Sequence, residues 1–214
     1  MERRSRTTRR VRLADAGEDP DEWRSFVAAQ GFGHLVAGGR GRDVPVVVPT
    51  QLLLEGDHVL LHLARANPLW AALAEHPRVV LSVAGDWAYI PSAWKAVGDE
   101  DPARGIPTTY YAAVQLTCTA TALDDPAAVA DVLRRQLGAL EPDGGHVDPS
   151  EHGAKLRAIR GLRLRIDDVR AKFKYADNVD GTRRAAVARR LAERGGPGDA
   201  AARSHLLRRG GDLG

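Results

Sequence analysis

A mainly β protein with peripheral helices (an α+β fold) is predicted, with six or seven strands that suit a small barrel. Three observations predict it. Between His34 and Leu63, short apolar runs follow one another with only Gly- or Pro-bearing turns between them, which is a meander and not a series of strand–helix–strand units. Residues 108–123 form one long run rich in Thr, Tyr and Val. Helical spacing is confined to a few segments that flank these runs.

In chain order, residues 1–12 read as a basic, disordered arm. Asp19-Pro20-Asp21-Glu22 opens a helix with an acidic first turn, on which Trp23, Phe26 and Val27 make the apolar stripe. Gly31-Phe32-Gly33 ends it. His34–Ala37 is the first strand, and Gly38–Asp43 a glycine-rich turn. Val44–Pro49 is a strand whose prolines place it at an edge or a strand end. Leu52–Leu54, the turn Glu55-Gly56-Asp57 and His58–Leu63 make a hairpin. A helix follows from Pro68 to Glu75. Arg78–Ala84 reads as a buried strand, Gly85-Asp86 as a turn, and Trp87–Ile90 as the next strand.

Gly98–Gly105, rich in Gly, Asp and Pro, reads as a mobile loop. After the run 108–123 comes an amphipathic helix, Pro126–Leu140, with Val129, Val132, Leu133, Leu137 and Leu140 on one face. A Gly/Pro/Asp linker and a short helix lead to the strand Leu162–Ile166, whose alternation buries Leu162, Leu164 and Ile166. Two helices, Ala185–Glu193 and Ala200–Arg209, close the chain around Gly195-Gly196-Pro197-Gly198. The organisation expected is a basic arm (1–12), a barrel domain (13–180) and a helical extension (181–214).

The 214 residues are 43% hydrophobic and 28% charged, an ordinary globular composition. One cysteine, Cys118, rules out an internal disulfide framework and a Cys-rich metal site. No apolar run reaches the length of a membrane span, and the basic N-terminus lacks the apolar core of a secretory signal, so a cytoplasmic location without membrane contact is expected. The net charge is only +3, yet six arginines fall within residues 1–12 and eight between Arg183 and Arg209. Such basic ends are solvated tails or a surface for DNA.

The junction His62-Leu63-Ala64-Arg65-Ala66-Asn67-Pro68-Leu69-Trp70 carries the chemistry. A strand ends there and a helix begins, with Asn67 as its cap and Pro68 at its first turn. A helix start offers unpaired N–H groups, and Arg65 adds a planar donor fork, so the junction is expected to hold the phosphate of a mononucleotide. The ordinary alternative is a capped helix with a surface arginine.

Four separated stretches share order and spacing: this junction, Ala88-Tyr89-Ile90 with Trp94, Ile106-Pro107-Thr108 with Tyr111 and Val114, and Lys172-Phe173-Lys174 with Asn178. Together they resemble the PaiB family, known as FMN-binding negative transcriptional regulators. The resemblance implies a split β-barrel of the pyridoxamine-phosphate-oxidase kind and a homodimer with two FMN sites at the subunit interface. It implies that His62, Arg65 and Asn67 lie near the flavin phosphate and ribityl chain. It places Tyr89, Trp94, Thr108, Tyr111, Lys172, Lys174 and Asn178 among the cofactor contacts. The chain departs from the family pattern at Lys95, Thr109-Tyr110, Gln115 and Tyr175-Ala176-Asp177.

The implied function is an FMN-binding regulator of transcription, with DNA contact through the basic ends. The alternative is an oxidoreductase acting on a small-molecule substrate, with Lys95, Tyr110 and the loop 98–105 forming the substrate pocket and with haem or a deazaflavin as other occupants of the cleft. Tyr89 and Trp94 can stack on a ring or pack in the core. Lys172 and Lys174 share one face of an extended segment and suit phosphate or the dimer seam. No metal site and no Ser-His-Asp set are expected.

Overall fold

The computed structural model describes residues 11–13, 21–177 and 179–209. They form two compact units. One comprises residues 11–12, 23–83 and 114–170, and the other 13, 21–22, 84–113 and 171–209.

The first unit carries the sheet. Its strands are β2 (Phe32–Ala37), β3 (Val46–Gln51), β4 (Leu53–Glu55), β5 (His58–Ala64) and the unit's portions of three longer strands, β6 (Arg78–Ile90), β7 (Thr108–Leu123) and β8 (Ile159–Lys174). The order is β3–β2–β6–β7–β8–β5–β4, and the short β1 (Val11–Leu13) pairs with β8. Antiparallel register puts Leu35 opposite Val48 and Leu81, and Leu61 opposite Leu162. These side chains are buried, so period-2 alternation delivers each strand's apolar set to one face.

Helix α1 (Glu22–Gln30) turns Trp23, Phe26 and Val27 inward. Helix α2 is Leu69–Glu75. Helix α3 (Pro126–Leu140) is opened by Asp125, whose carboxylate accepts the Ala128 N–H, with Pro126 in the first turn. Its Val129 and Ala130 pack on Leu156 of the short α4 (Ala154–Arg157).

The second unit contains the remaining ends of β6, β7 and β8, two 3-10 turns (Ser92–Lys95 and Pro102–Arg104) and helices α5 (Gly181–Arg194) and α6 (Asp199–Arg208). The Asp180 side chain caps α5 by accepting from the Arg183 N–H, and Gly195 ends it in the left-handed conformation. Val187 and Leu191 of α5 and Ala202 and Leu206 of α6 are buried. At the turn between the helices, Gly198 has φ +80°, and a Cβ there would lie 2.2 Å from the Trp87 carbonyl oxygen, so only glycine fits.

A buried polar group anchors α6. His205 Nε2 lies 2.8 Å from Asp86 Oδ2, and Arg208 Nη2 lies 2.7 Å from Nδ1. An arginine can only donate, so Nδ1 is the acceptor and Nε2–H donates to Asp86. The Tyr175 ring stacks on the imidazole at 4.4 Å, and its hydroxyl donates to the Asp86 carbonyl. Burial, the largest influence, holds the His205 pKa below its usual value.

The structure departs from the sequence reading in five places. Gly85-Asp86 does not reverse the chain: β6 runs on as one strand, with Asp86 at φ +52° within it. Eight strands are present among the described residues where six or seven were expected. β8 runs over 16 residues, far beyond Leu162–Ile166. The loop 98–105 contains a 3-10 turn capped by Asp101. Residues 11–12 of the expected arm belong to β1, while residues 1–10 lie outside the described residues. Helices α5 and α6 share their compact unit with residues 84–113. No described helix is long and apolar enough to cross a membrane.

Candidate functional site

At the β5–α2 junction the chain turns through Asn67-Pro68. The Asn67 N–H donates to the Ala64 carbonyl, and the Asn67 side-chain oxygen accepts the Leu69 N–H at 2.9 Å. The Trp70 indole N–H donates to the same Ala64 carbonyl at 2.9 Å, pinning the helix to the strand end. Asn67 therefore caps α2 as expected from its residue type. The cap, however, already uses the Leu69 N–H, and the Trp70 N–H goes to the Asn67 carbonyl. With only seven residues, α2 has a short dipole, so the helix start adds little to anion binding here.

Arg65 is the stronger element, and it is engaged. Its Nη1 donates to Asp124 at 3.1 Å, Nε to the Arg157 carbonyl at 3.1 Å, and Nη2 to the Ile159 carbonyl at 3.4 Å. Arg160 grips the same Asp124 through two bonds of 2.6 and 2.5 Å, and its guanidinium lies 4.3 Å over the Trp70 ring. Two guanidiniums thus share one carboxylate. Hydrogen bonding from Arg160, with a smaller share from Arg65, holds Asp124 below the usual carboxylate range.

His62 faces the α3 side of the unit, with Nδ1 2.7 Å from Oε1 of the buried Gln136. With that amide oxygen accepting, Nδ1 carries the hydrogen. Arg65 and Asn67 thus belong to one junction, while His62 is held separately by Gln136.

The other candidates lie in the second unit. Tyr89 and Trp87 project from the same side of β6 and are 50% and 60% exposed, so neither packs in the core. Trp94 lies 4.5 Å beneath the Arg194 guanidinium, which also donates to the Tyr89 carbonyl and holds the buried Asp199. The Lys174 ammonium donates to Thr108 Oγ1 at 2.8 Å, which brings two predicted residues together. Lys172 and Lys174 do share a face of β8, since Ala171, Phe173 and Tyr175 between and beside them are buried. Tyr111 is half-buried on β7, and Asn178 lies outside the described residues.

The same unit holds a cavity of about 700 Å³, within the size range of small-molecule sites. Ala96, Ile106, Val179 and Val187 give it apolar walls, and Lys95, Tyr110 and Arg183 give it polar ones. Lys95 and Tyr110 stand where the sequence deviates from the family pattern. Arg183 was not foreseen. It donates to the Lys95 carbonyl at 2.6 Å and clasps Glu100 with both terminal nitrogens, so α5 is tied to the segment 95–100 at the cavity wall. Burial pushes the Tyr110 phenol up to about 12. Burial, and then the like charge of Lys174, lower the Lys95 pKa.

The C-terminal arginines expected to face DNA are mostly occupied. Arg183, Arg194 and Arg209 pair with Glu100, Asp199 and Glu22, Arg208 bonds His205, and the buried Arg184 donates to two carbonyls.

A family model described as "Putative FMN-binding domain" matches residues 12–168. The chain is 26% identical over 170 residues to the "Protease synthase and sporulation protein PAI 2" of Bacillus subtilis (strain 168), covering 74% of this chain and 77% of that protein. Among solved structures it is similar to the flavocytochrome Anf3 of Azotobacter vinelandii, with a TM-score of 0.56, 24% identity and coverage of 78% and 73% of the two chains. It is also similar to the FAD and haem binding protein of Mycobacterium smegmatis, with a TM-score of 0.57, 16% identity and coverage of 80% and 78%. These structural likenesses show the fold, a split β-barrel with peripheral helices. The chain belongs to the FMN-binding domain family, as a divergent member of PaiB type.

Proposed function

We propose that this chain binds FMN, acts as a homodimer and uses the flavin on a small-molecule substrate. The observation that carries the reading is the pair of guanidiniums, Arg65 and Arg160, around the single half-exposed carboxylate of Asp124. The group keeps one net positive charge. A half-exposed ion pair is worth little, so a phosphate can displace Asp124 from Arg65 at small cost. The residues present therefore fit a flavin phosphate, through the guanidiniums and not through the helix start.

Arg65, with Asn67 shaping the turn and His62 on the preceding strand, is the phosphate-side candidate set. Tyr89, Trp94, Thr108, Tyr111, Lys172 and Lys174, with Asn178, are the remaining candidate contacts. When bound, FMN supplies the redox chemistry, and the protein's part is to hold it, shield it and tune it by nearby charge. Lys174, fixed by Thr108, is a cation suited to that tuning. The cavity of the second unit favours small-molecule redox over transcriptional regulation, as does the internal use of the C-terminal arginines.

The test is a titration of purified protein with FMN and with riboflavin, read by flavin fluorescence. FMN is expected to bind roughly 10–100-fold more tightly than riboflavin, the worth of a charge-assisted hydrogen bond, and Arg65→Gln is expected to erase that preference. No flavin binding, or a preference that survives Arg65→Gln, overturns the reading.

A further inference from the structure

The cavity of the second unit has features that its own residues leave unanswered. Tyr110 is 3% exposed. Its ring meets Tyr175 edge-on at 6.0 Å, yet its hydroxyl has no hydrogen-bond partner among the described residues. The hydroxyl opens on the cavity that Tyr110 lines, where it can donate to an occupant. Lys95 is half-buried on the same cavity, and its ammonium has no carboxylate partner among the described residues.

The acids of the wall are already used. Glu100 is held by Arg183, and Asp101 lies 3.7 Å from Arg104. Three cations against two carboxylates leave the lining one positive charge in excess. The wall is also rigidly built: a Cβ on Gly105 would lie 2.0 Å from the Ser92 carbonyl oxygen, so the segment carrying the second 3-10 turn closes directly on the first. Ile106, Val179 and Val187 add apolar lining.

We propose that this cavity binds a small organic anion, with an apolar body against Ile106 and Val187 and an acidic group that accepts from the Tyr110 hydroxyl and the Lys95 ammonium. Carboxylates and phosphate monoesters share that chemistry. The inference stands on the second unit alone and does not depend on the flavin reading.

The test uses the full chain and 2-naphthoate, followed by the probe's own fluorescence and by calorimetry, with neutral 2-naphthamide as the isostere. Wild type is expected to bind naphthoate and to discriminate against the amide by at least about tenfold. Lys95→Gln, at a half-exposed position, is expected to remove that discrimination. Tyr110→Phe, checked for an unchanged melting temperature, is expected to weaken naphthoate about tenfold. 2-Naphthyl phosphate in place of naphthoate assigns the acidic group: tighter binding marks the natural ligand as a phosphate ester, weaker binding as a carboxylate, and both uphold an anion site. Equal binding of amide and acid overturns the proposal, as does unchanged affinity in Lys95→Gln. One-for-one displacement of naphthoate by FMN overturns it too, because the cavity would then be the flavin's own.

Discussion

The strand–helix junction of the first unit and the cavity of the second are both cationic, but they differ in how their polar groups are satisfied. At the junction, every Arg65 nitrogen reaches an oxygen and the helix cap is closed by Asn67. In the cavity, the Tyr110 hydroxyl and the half-buried Lys95 ammonium face the open space without a described partner. A saturated cluster holds its shape without a ligand and exchanges one anion for another. An unsaturated one offers an incoming ligand donors that no protein group has taken. The same kind of charge can therefore serve as a replaceable clamp in one region and as an empty socket in the other.

The largest expected effect breaks the socket. Gly105→Ala forces the two 3-10 turns apart, costing about 2–4 kcal/mol of stability by backbone displacement and abolishing naphthoate binding. A thermal melt with a parallel titration checks both, and retention of binding would show that the wall yields. Next, Trp70→Phe removes the indole bond to Ala64 and part of the surface beneath Arg160. A loss of about 1–2 kcal/mol is expected in chemical denaturation, with the flavin-phosphate preference reduced through misplacement of Arg65.

A smaller change sharpens the contrast. Asp124→Asn leaves two guanidiniums around a neutral amide and makes the junction resemble the cavity. Affinity for FMN is expected to rise several-fold with little loss of stability, because the carboxylate competes with phosphate; a fall in affinity would show that Asp124 positions Arg65 instead.

The smallest effect is a pH slope from His205. Its folded pKa lies below its unfolded value of 6.5, so below that pH the unfolded chain binds a proton that the folded one refuses. Stability is then full above about pH 6.5 and falls as the pH drops towards the folded value. The groups facing the imidazole, Asp86, Glu22, Arg208 and Arg209, set the width of that window. Melts at pH 7.5 and 5.5 should show a drop that His205→Gln reduces, and an equal drop in the variant would assign the slope to other groups.

Local rules made α3 legible, because Asp125, Pro126 and a clean apolar face all agree. They made Asn67 legible as a cap for the same reason. They misread Gly85-Asp86, since that pair usually turns a chain, and only the sheet around it reveals a strand that absorbs one left-handed residue. Tyr110 and Lys95 were found because they depart from the family pattern. Arg183 was not, for its partner Glu100 lies 83 residues away and no local periodicity links them. Nor could the sequence show that Asp124, 59 residues from Arg65, already occupies the arginine's fork.

Cys118, the only cysteine in the chain, sits in β7 with its sulfur fully buried and directed at the Leu116 carbonyl. A water-borne disulfide reagent can reach that sulfur only when the strand breathes open. The molecule thus contains its own stopwatch: the rate at which the reagent is consumed measures how often the first unit opens, and any occupant that tightens this unit must lengthen the interval.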